Sequence, residues 1–306
     1  MSLNPAKILS ASRRTDIPGF YMGWFMDCIR RGFFEVKNPY TRKVKRVDVS
    51  KESIHSIVFW SKNYEVLIHS KAGEKLRTLG FNLYFNFTIN SESPLLEPGL
   101  LPLSQRLVQL KQLASLFGPE NIAWRFDPIC FYKTAPDGNE INNLSDFFLI
   151  SEQASALGIK KCVTSYLDIY PKINKRLAFL SRKKEANLIF TDPPLKKKIQ
   201  VIQWMEKHLL KLDMNLSLCC EKELFSHLET GTRVLENACV DGILLEKNFG
   251  GLPETKRDFG QRSKQGCRCT QSIDIGSYDE HPCFHNCIFC YASPDIDNTQ
   301  KKDRAQ

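Results

Sequence analysis

Apolar and polar positions along the chain fall into short runs that switch repeatedly between a two-residue and a 3.6-residue period. Lys7–Ser12 is small and apolar and reads as a first strand, ending in Arg13-Arg14-Thr15-Asp16. Pro18 suits a first helical turn. Phe20, Tyr21, Trp24, Phe25, Cys28 and Ile29 then recur at helical spacing, which predicts a helix with one buried face. Val44–Val49 alternates apolar and charged residues, as an edge strand or hairpin arm does. Ile54–Trp60 reads as a second, buried strand, a helix runs through Leu67 and Leu76 to close near Gly80, and Leu83–Ile89 reads as a third strand. Leu103–Phe117 is helical in pattern and stops at Gly118-Pro119, and Ile122–Phe126 is a fourth strand. Leu144–Leu157 predicts a helix with Gly158 just past its end. Lys161–Tyr166 predicts a fifth strand, Pro171–Lys184 and Leu195–Leu212 helices, Asn215–Cys220 a sixth strand and Gly242–Leu245 a short seventh.

Strands alternating with helices argue for an α/β protein with a parallel sheet and helical crossovers. Seven such units suggest a parallel (β/α) barrel or partial barrel of the TIM type, with a doubly wound open sheet as the alternative. From Lys247 onward glycine, charge and cysteine replace the periodic pattern. The expected organisation is therefore a barrel-like domain over 1–247, a cysteine-rich appendage over 248–294 and a disordered tail over 295–306. Polar residues collect just after the strands: Arg13, Arg14 and Asp16; Lys62 and Asn63; Asn90; Arg125 and Asp127; Ser165; Glu221. In a parallel barrel these converge on the face where such folds place their active sites. Arg125-Phe126-Asp127 stands out, because a charged pair inside an apolar strand must be partnered or used.

Composition narrows the class. Hydrophobic residues make up 42% and charged residues 25% of the 306, which excludes wholesale disorder and fibrous folds. No run approaches the roughly 18–20 apolar residues of a spanning helix, and Met1–Lys7 lacks the layout of a signal peptide. The expected compartment is the cytoplasm. The balance of 43 basic and 34 acidic residues, +9, permits an anionic partner without demanding one. Its short basic runs, Arg42–Arg46, Arg182–Lys184 and Lys196–Lys198, are better read as solvated surface than as a nucleic-acid footprint.

The 11 cysteines change the picture, because five lie between Cys267 and Cys290. Clustered cysteines without a secretory signal point to metal or catalysis rather than disulfides. Cys283, Cys287 and Cys290 have the spacing C-x3-C-x2-C, compact enough to wrap one corner of a 4Fe–4S cluster and leave one iron open. The alternatives are zinc, with His281 or His285 as a fourth ligand, and a purely structural role. Cys220, Cys239, Cys267 and Cys269 either serve as buried small hydrophobes and incidental thiols or supply four more thiolates, enough for a second iron–sulfur cluster or a zinc ion. Cys28, Cys130 and Cys162 lie on apolar elements and read as core.

The segment Cys283-Phe284-His285-Asn286-Cys287-Ile288-Phe289-Cys290-Tyr291-Ala292 resembles the cluster motif of the radical S-adenosylmethionine enzymes. That resemblance implies that the three cysteines hold a 4Fe–4S cluster whose open iron binds S-adenosylmethionine, that Phe289 lies near the adenine, and that reduction yields a 5′-deoxyadenosyl radical. In those enzymes the motif follows the first barrel strand; here it lies near the C-terminus. Ser10–Pro18, Phe59–Asn63, Arg125–Ile129 and Ser272–Gly276 resemble a second, uncharacterised family, the domain-of-unknown-function 1848 proteins. That resemblance implies a C-terminal cysteine cluster similar to the N-terminal one of radical S-adenosylmethionine proteins, in a rearranged barrel whose last loop folds back over the mouth toward Arg13, Arg14 and Asp16.

These observations lead to an expected iron–sulfur enzyme acting on a small or anionic substrate with an external electron donor. Arg13, Arg14, Lys62 and Arg125 are candidate anion ligands. Asp16 or Asp127 would orient a cofactor hydroxyl or move a proton, and Lys62, Asn63 and Phe289 are candidate cofactor contacts. Two further classes are an electron carrier or redox sensor without an organic cofactor, and a nucleic-acid binding or repair protein. No membrane partner is expected.

Overall fold

The structure is a computed structural model that describes residues 5–39, 41–183 and 187–292. Its frame is an eight-stranded sheet of β1 (Lys7–Ala11), β2 (Ile54–Ser61), β3 (Asn82–Thr88), β4 (Ile122–Ile129), β5 (Lys161–Tyr166), β6 (Asn215–Leu218), β7 (Leu235–Glu236) and β8 (Ile273–Asp274). The spatial order is β7-β6-β5-β4-β3-β2-β1-β8, and every ladder is parallel. Seven strands thus follow one another in chain order, and the last returns to lie beside the first. The parallel α/β expectation holds. Closure into a barrel is not shown, since among the described residues no ladder joins β7 to β8.

The two-residue period of each strand sorts its side chains onto two faces. Leu9, Phe59, Phe85, Trp124 and Phe126 point outward into the main core, where helices Met22–Arg31, Leu103–Phe117, Phe147–Ala156 and Leu195–Lys211 pack. Ile8, Val58, Tyr84, Ala123 and Val163 point to the opposite face and meet Cys239, Val240, Leu245, Cys267 and Cys269 from the C-terminal part of the chain. Arg125 and Asp127 share the parity of Ala123, so the alternation that buries Trp124 and Phe126 outward turns the charged pair inward.

Several sequence expectations are matched closely, among them the helix Leu103–Phe117 and the strand Lys161–Tyr166. Val44–Asp48 is one arm of an antiparallel hairpin with Phe33–Lys37. The helix expected through Leu67 and Leu76 is two short helices, Glu65–His69 and Ala72–Thr78, separated at Lys71, whose φ of 54° breaks the helical run.

Gly242–Leu245 is not a strand. It opens the helix Gly242–Phe249, capped by the Asp241 carboxylate accepting from the Leu244 N–H. A four-residue apolar run carries too little periodicity to separate the two states, and the cap decides. The seventh strand is Leu235–Glu236 instead.

The segment after Lys247 is folded onto the sheet through β8. Asp274 accepts hydrogen bonds from Ser10 Oγ (3.0 Å), Ser12 Oγ (2.6 Å), Arg13 N (2.7 Å) and Gly276 N (3.1 Å). The expected tail over 295–306 lies outside the described residues. Among the described residues no helix is long and apolar enough to cross a membrane.

Candidate functional site

A cavity of 310 Å³ lies over the C-terminal ends of the strands. That is the lower end of the roughly 300–1,000 Å³ of ligand pockets. Its wall takes Arg13 and Asp16 from the loop after β1, Trp60 and Lys62 from the end of β2, Arg125 and Asp127 from β4, and Ser165 from β5. Eight of the eleven cysteines line it as well.

The charged residues are held in place by one another. Arg125 Nη2 donates to Asp127 Oδ2 (2.5 Å), and Ser165 Oγ donates to Asp127 Oδ1 (2.5 Å). Burial works against the Asp127 charge, but Arg125 and Ser165 outweigh it and hold the carboxyl below the usual range. Burial likewise opposes the Arg125 charge, and Cys239 and Asp127 more than offset it. Lys62 Nζ pairs with Glu97 Oε1 at 2.5 Å and sits 5.4 Å from the centre of the Phe289 ring. Two guanidiniums lie over the Trp60 ring, Arg13 at 5.3 Å and Arg125 at 5.4 Å from its centre.

The C-x3-C-x2-C loop forms the roof because β8 delivers it there. β8 pairs with β1 at the sheet edge, and the chain leaving β8 crosses the mouth. Asn286, at φ 55°, takes the left-handed turn between Cys283 and Cys287, a conformation asparagine tolerates. Arg176 Nη1 gathers the loop's carbonyls, donating to Cys287 O (3.3 Å), Ile288 O (2.7 Å) and Cys290 O (3.0 Å). From the other side, Gly99 N donates to His285 O (3.0 Å). Burial pushes the Cys283 and Cys287 thiols up, so without a metal they keep their protons.

The donors suit a thiolate-bound cluster. Three soft ligands face one cavity, and His285 Nδ1 beside them is buried without a hydrogen-bond partner among the described residues. For a zinc ion completed by histidine only His285 is placed: Asp16 Oδ2 engages its Nε2 at 2.7 Å and leaves Nδ1 as the open ring nitrogen, whereas His281 packs at a tilt against Trp24 with ring centres 4.1 Å apart. Among the described residues no three His, Cys, Asp or Glu side chains gather around the position of a single ion. A cubane takes each thiolate at a separate corner, so its ligands stand apart.

Of the residues singled out in the sequence, Arg13, Asp16, Lys62, Arg125, Asp127, Phe289, Cys283, Cys287, Cys290, Cys220, Cys239, Cys267 and Cys269 all line the cavity. Two do not. Arg14 reaches away to donate from Nη1 to Gly276 O (3.1 Å). Asn63 caps the next helix, its Oδ1 accepting from Glu65 N (3.0 Å) and Gln109 Nε2 (2.8 Å). Glu221 also stays out of the cavity, accepting from Tyr166 N (2.7 Å), and burial pushes its carboxyl up to about 7. Sequence reasoning missed Cys219, His285 as the partner of Asp16, and Arg176. The adjacent pair Cys219-Cys220 was a visible signal for the first. A helix arginine that binds carbonyls more than a hundred residues away leaves none.

No curated protein matches the chain. A family model, described as a domain of unknown function, DUF1848, matches residues 8–292. That span runs from β1 through the C-x3-C-x2-C loop, so the sheet, the cavity and its cysteines are all part of the shared unit, and the chain belongs to the DUF1848 family.

Proposed function

We propose that this chain is an iron–sulfur protein of the radical S-adenosylmethionine type. Cys283, Cys287 and Cys290 would hold a 4Fe–4S cluster with one open iron, and the cavity beneath would take S-adenosylmethionine and an anionic small substrate. The observation that carries this reading is the meeting of the cysteine loop with charged residues from the ends of several parallel strands in one cavity. The displaced motif fits it too. Because β8 lies beside β1, the loop occupies the place that a loop after a first strand has in a sequentially ordered sheet.

When bound, the cluster and S-adenosylmethionine would supply one-electron chemistry fed by an external donor. The chain's own residues have narrower tasks. Arg13 and Arg125 present two guanidiniums, held charged by acidic neighbours, to a carboxylate or phosphate. Asp16 is fixed by Ser61 and His285, and offers an oriented acceptor at the cavity wall. Phe289 gives an apolar face to a planar ring.

Anaerobic purification with iron and sulfide analysis tests the proposal, together with electron paramagnetic resonance of the reduced protein with and without S-adenosylmethionine. The expected result is a cluster signal that shifts on adding the cofactor and is lost in Cys287→Ala. A signal that ignores S-adenosylmethionine replaces this reading with that of an electron carrier. A folded protein without iron ends both.

A further inference from the structure

Five other thiols meet on the inner face of the sheet. Cys219 Sγ lies 3.4 Å from Cys239 Sγ and 3.9 Å from Cys220 Sγ. Cys239 contacts Cys269, Cys269 contacts Cys267, and Cys267 contacts Cys220. The contacts close a ring, drawn from the end of β6, the stretch after β7 and the Cys267-Arg268-Cys269 turn before β8. Cysteines that merely fill a core pack against carbon; here three chain segments bring sulfur against sulfur beside a cavity.

A second set of observations concerns what surrounds the sulfurs. Cys239 Sγ accepts from Arg125 Nη1 and from Asn237 Nδ2, each at 2.9 Å, and Cys269 Sγ accepts from Val240 N at 3.5 Å. Neutral thiols are weak acceptors. N–H groups directed at sulfur are how proteins hold and tune metal-bound thiolates. Arg13 is in electrostatic contact with Cys269, and its buried Nη2 has no hydrogen-bond partner among the described residues. Two buried guanidiniums thus flank the ring of sulfurs, which are anionic once they bind a metal.

We infer that Cys219, Cys220, Cys239, Cys267 and Cys269 build a second metal–thiolate centre, in which four of the five bind zinc or an iron–sulfur cluster. It does not depend on the cluster proposed for Cys283, Cys287 and Cys290. A tetrahedral ion with metal–sulfur bonds of about 2.3 Å sets its sulfurs about 3.8 Å apart, and the separations of 3.4 and 3.9 Å bracket that edge. The ring does not yet converge on one point. Binding of a single ion would draw four sulfurs inward, whereas a cluster would spread them. The fifth thiol is left beside the cavity.

The test compares wild-type protein, the triple variant Cys283→Ala/Cys287→Ala/Cys290→Ala and the double variant Cys239→Ser/Cys269→Ser, all purified anaerobically. Zinc, iron and inorganic sulfide are measured per chain, before and after supplying zinc alone or ferrous iron with sulfide. The triple variant is expected to keep about one equivalent of metal centre that the double variant loses. Zinc without sulfide assigns a single ion, and iron with sulfide assigns a cluster. Should the double variant fail to fold, alkylation of the triple variant decides. Its ring thiols should be protected until a chelator strips the metal and then react. A folded triple variant that binds neither metal and carries five alkylatable ring thiols, or disulfides between them, overturns the inference.

Discussion

Replacing Arg176 with methionine should loosen the cysteine loop without unfolding the protein. One guanidinium nitrogen, Nη1, serves three carbonyls of the loop, those of Cys287, Ile288 and Cys290. A nitrogen with two hydrogens makes about two full bonds, and hydrogen bonds to a charged group are worth about 1.5–3 kcal/mol each. Methionine keeps much of the side chain's apolar length at this buried position, so about 3 kcal/mol is the cost assigned to opening the loop. At about 1.4 kcal/mol per tenfold, that raises the open population roughly 100-fold. The assay is alkylation of metal-free, reduced protein under native conditions, with the rate at Cys287 read by peptide mass spectrometry. Cys162, fully buried in the main core, serves as the internal reference. Cys287 should react about two orders of magnitude faster, with Cys162 unchanged. A change at Cys287 smaller than about threefold, in a variant with native circular dichroism, would refute the assignment of Arg176 as the clamp. Arg176→Lys should restore part of the protection, since an ammonium can donate to the same carbonyls.

Asp274→Ala removes three hydrogen bonds that tie β8 to β1 and the residues just after it, and a fourth to Gly276 N within its own segment. Counting about two of them at full strength, it should cost about 3 kcal/mol and lower Tm by about 6 °C at roughly 2 °C per kcal/mol; an unchanged melting curve contradicts the tether. A Cβ on Gly99 would meet His285 O at 2.5 Å and His285 C at 2.8 Å, so Gly99→Ala should push the loop outward. It should lower iron loading and cost about 1–3 kcal/mol, and wild-type iron content and Tm would show that the loop yields freely. Burial lowers the pKa of His208, which stacks on Phe148 with ring centres 3.9 Å apart. The folded state then favours the neutral ring. Its stabilising contribution is complete above the unfolded pKa of about 6.5 and is lost as pH falls through the lower folded value. Urea midpoints at pH 7.5 and 5.5 should fall less in His208→Phe than in wild type, and equal slopes would refute this.

Much of the site was legible along the chain because its chemistry is local. The C-x3-C-x2-C spacing, the Arg125-Phe126-Asp127 triplet and the Arg13–Asp16 strand end are each carried by neighbours in sequence. The strand period alone puts Arg125 and Asp127 opposite Phe126. Where the reading failed, the deciding interaction was not local. Arg14 and Asn63 belong to the same polar strand ends as Arg13 and Lys62, yet Gly276 O and the Gln109 side chain claim them. Gly242–Leu245 is apolar enough for a strand, and a single cap together with close packing on the backbone of Glu254 makes it a helix.

Periodicity and turn residues by themselves determined the first six strands of the sheet and their alternation with helices, the parallel α/β class and the three thiols of the loop, because each follows from interactions within a few residues. Only the tertiary structure decided that β8 returns to pair with β1, which brings the C-terminal loop over the cavity. It also decided that Cys219 joins Cys220, Cys239, Cys267 and Cys269 in one ring of contacts. Both depend on ladders and hydrogen bonds between segments up to about 260 residues apart, such as Ser12 to Asp274. Such pairing leaves no period in the sequence. It is set by which buried surfaces and unpaired edge groups remain once the local elements have formed.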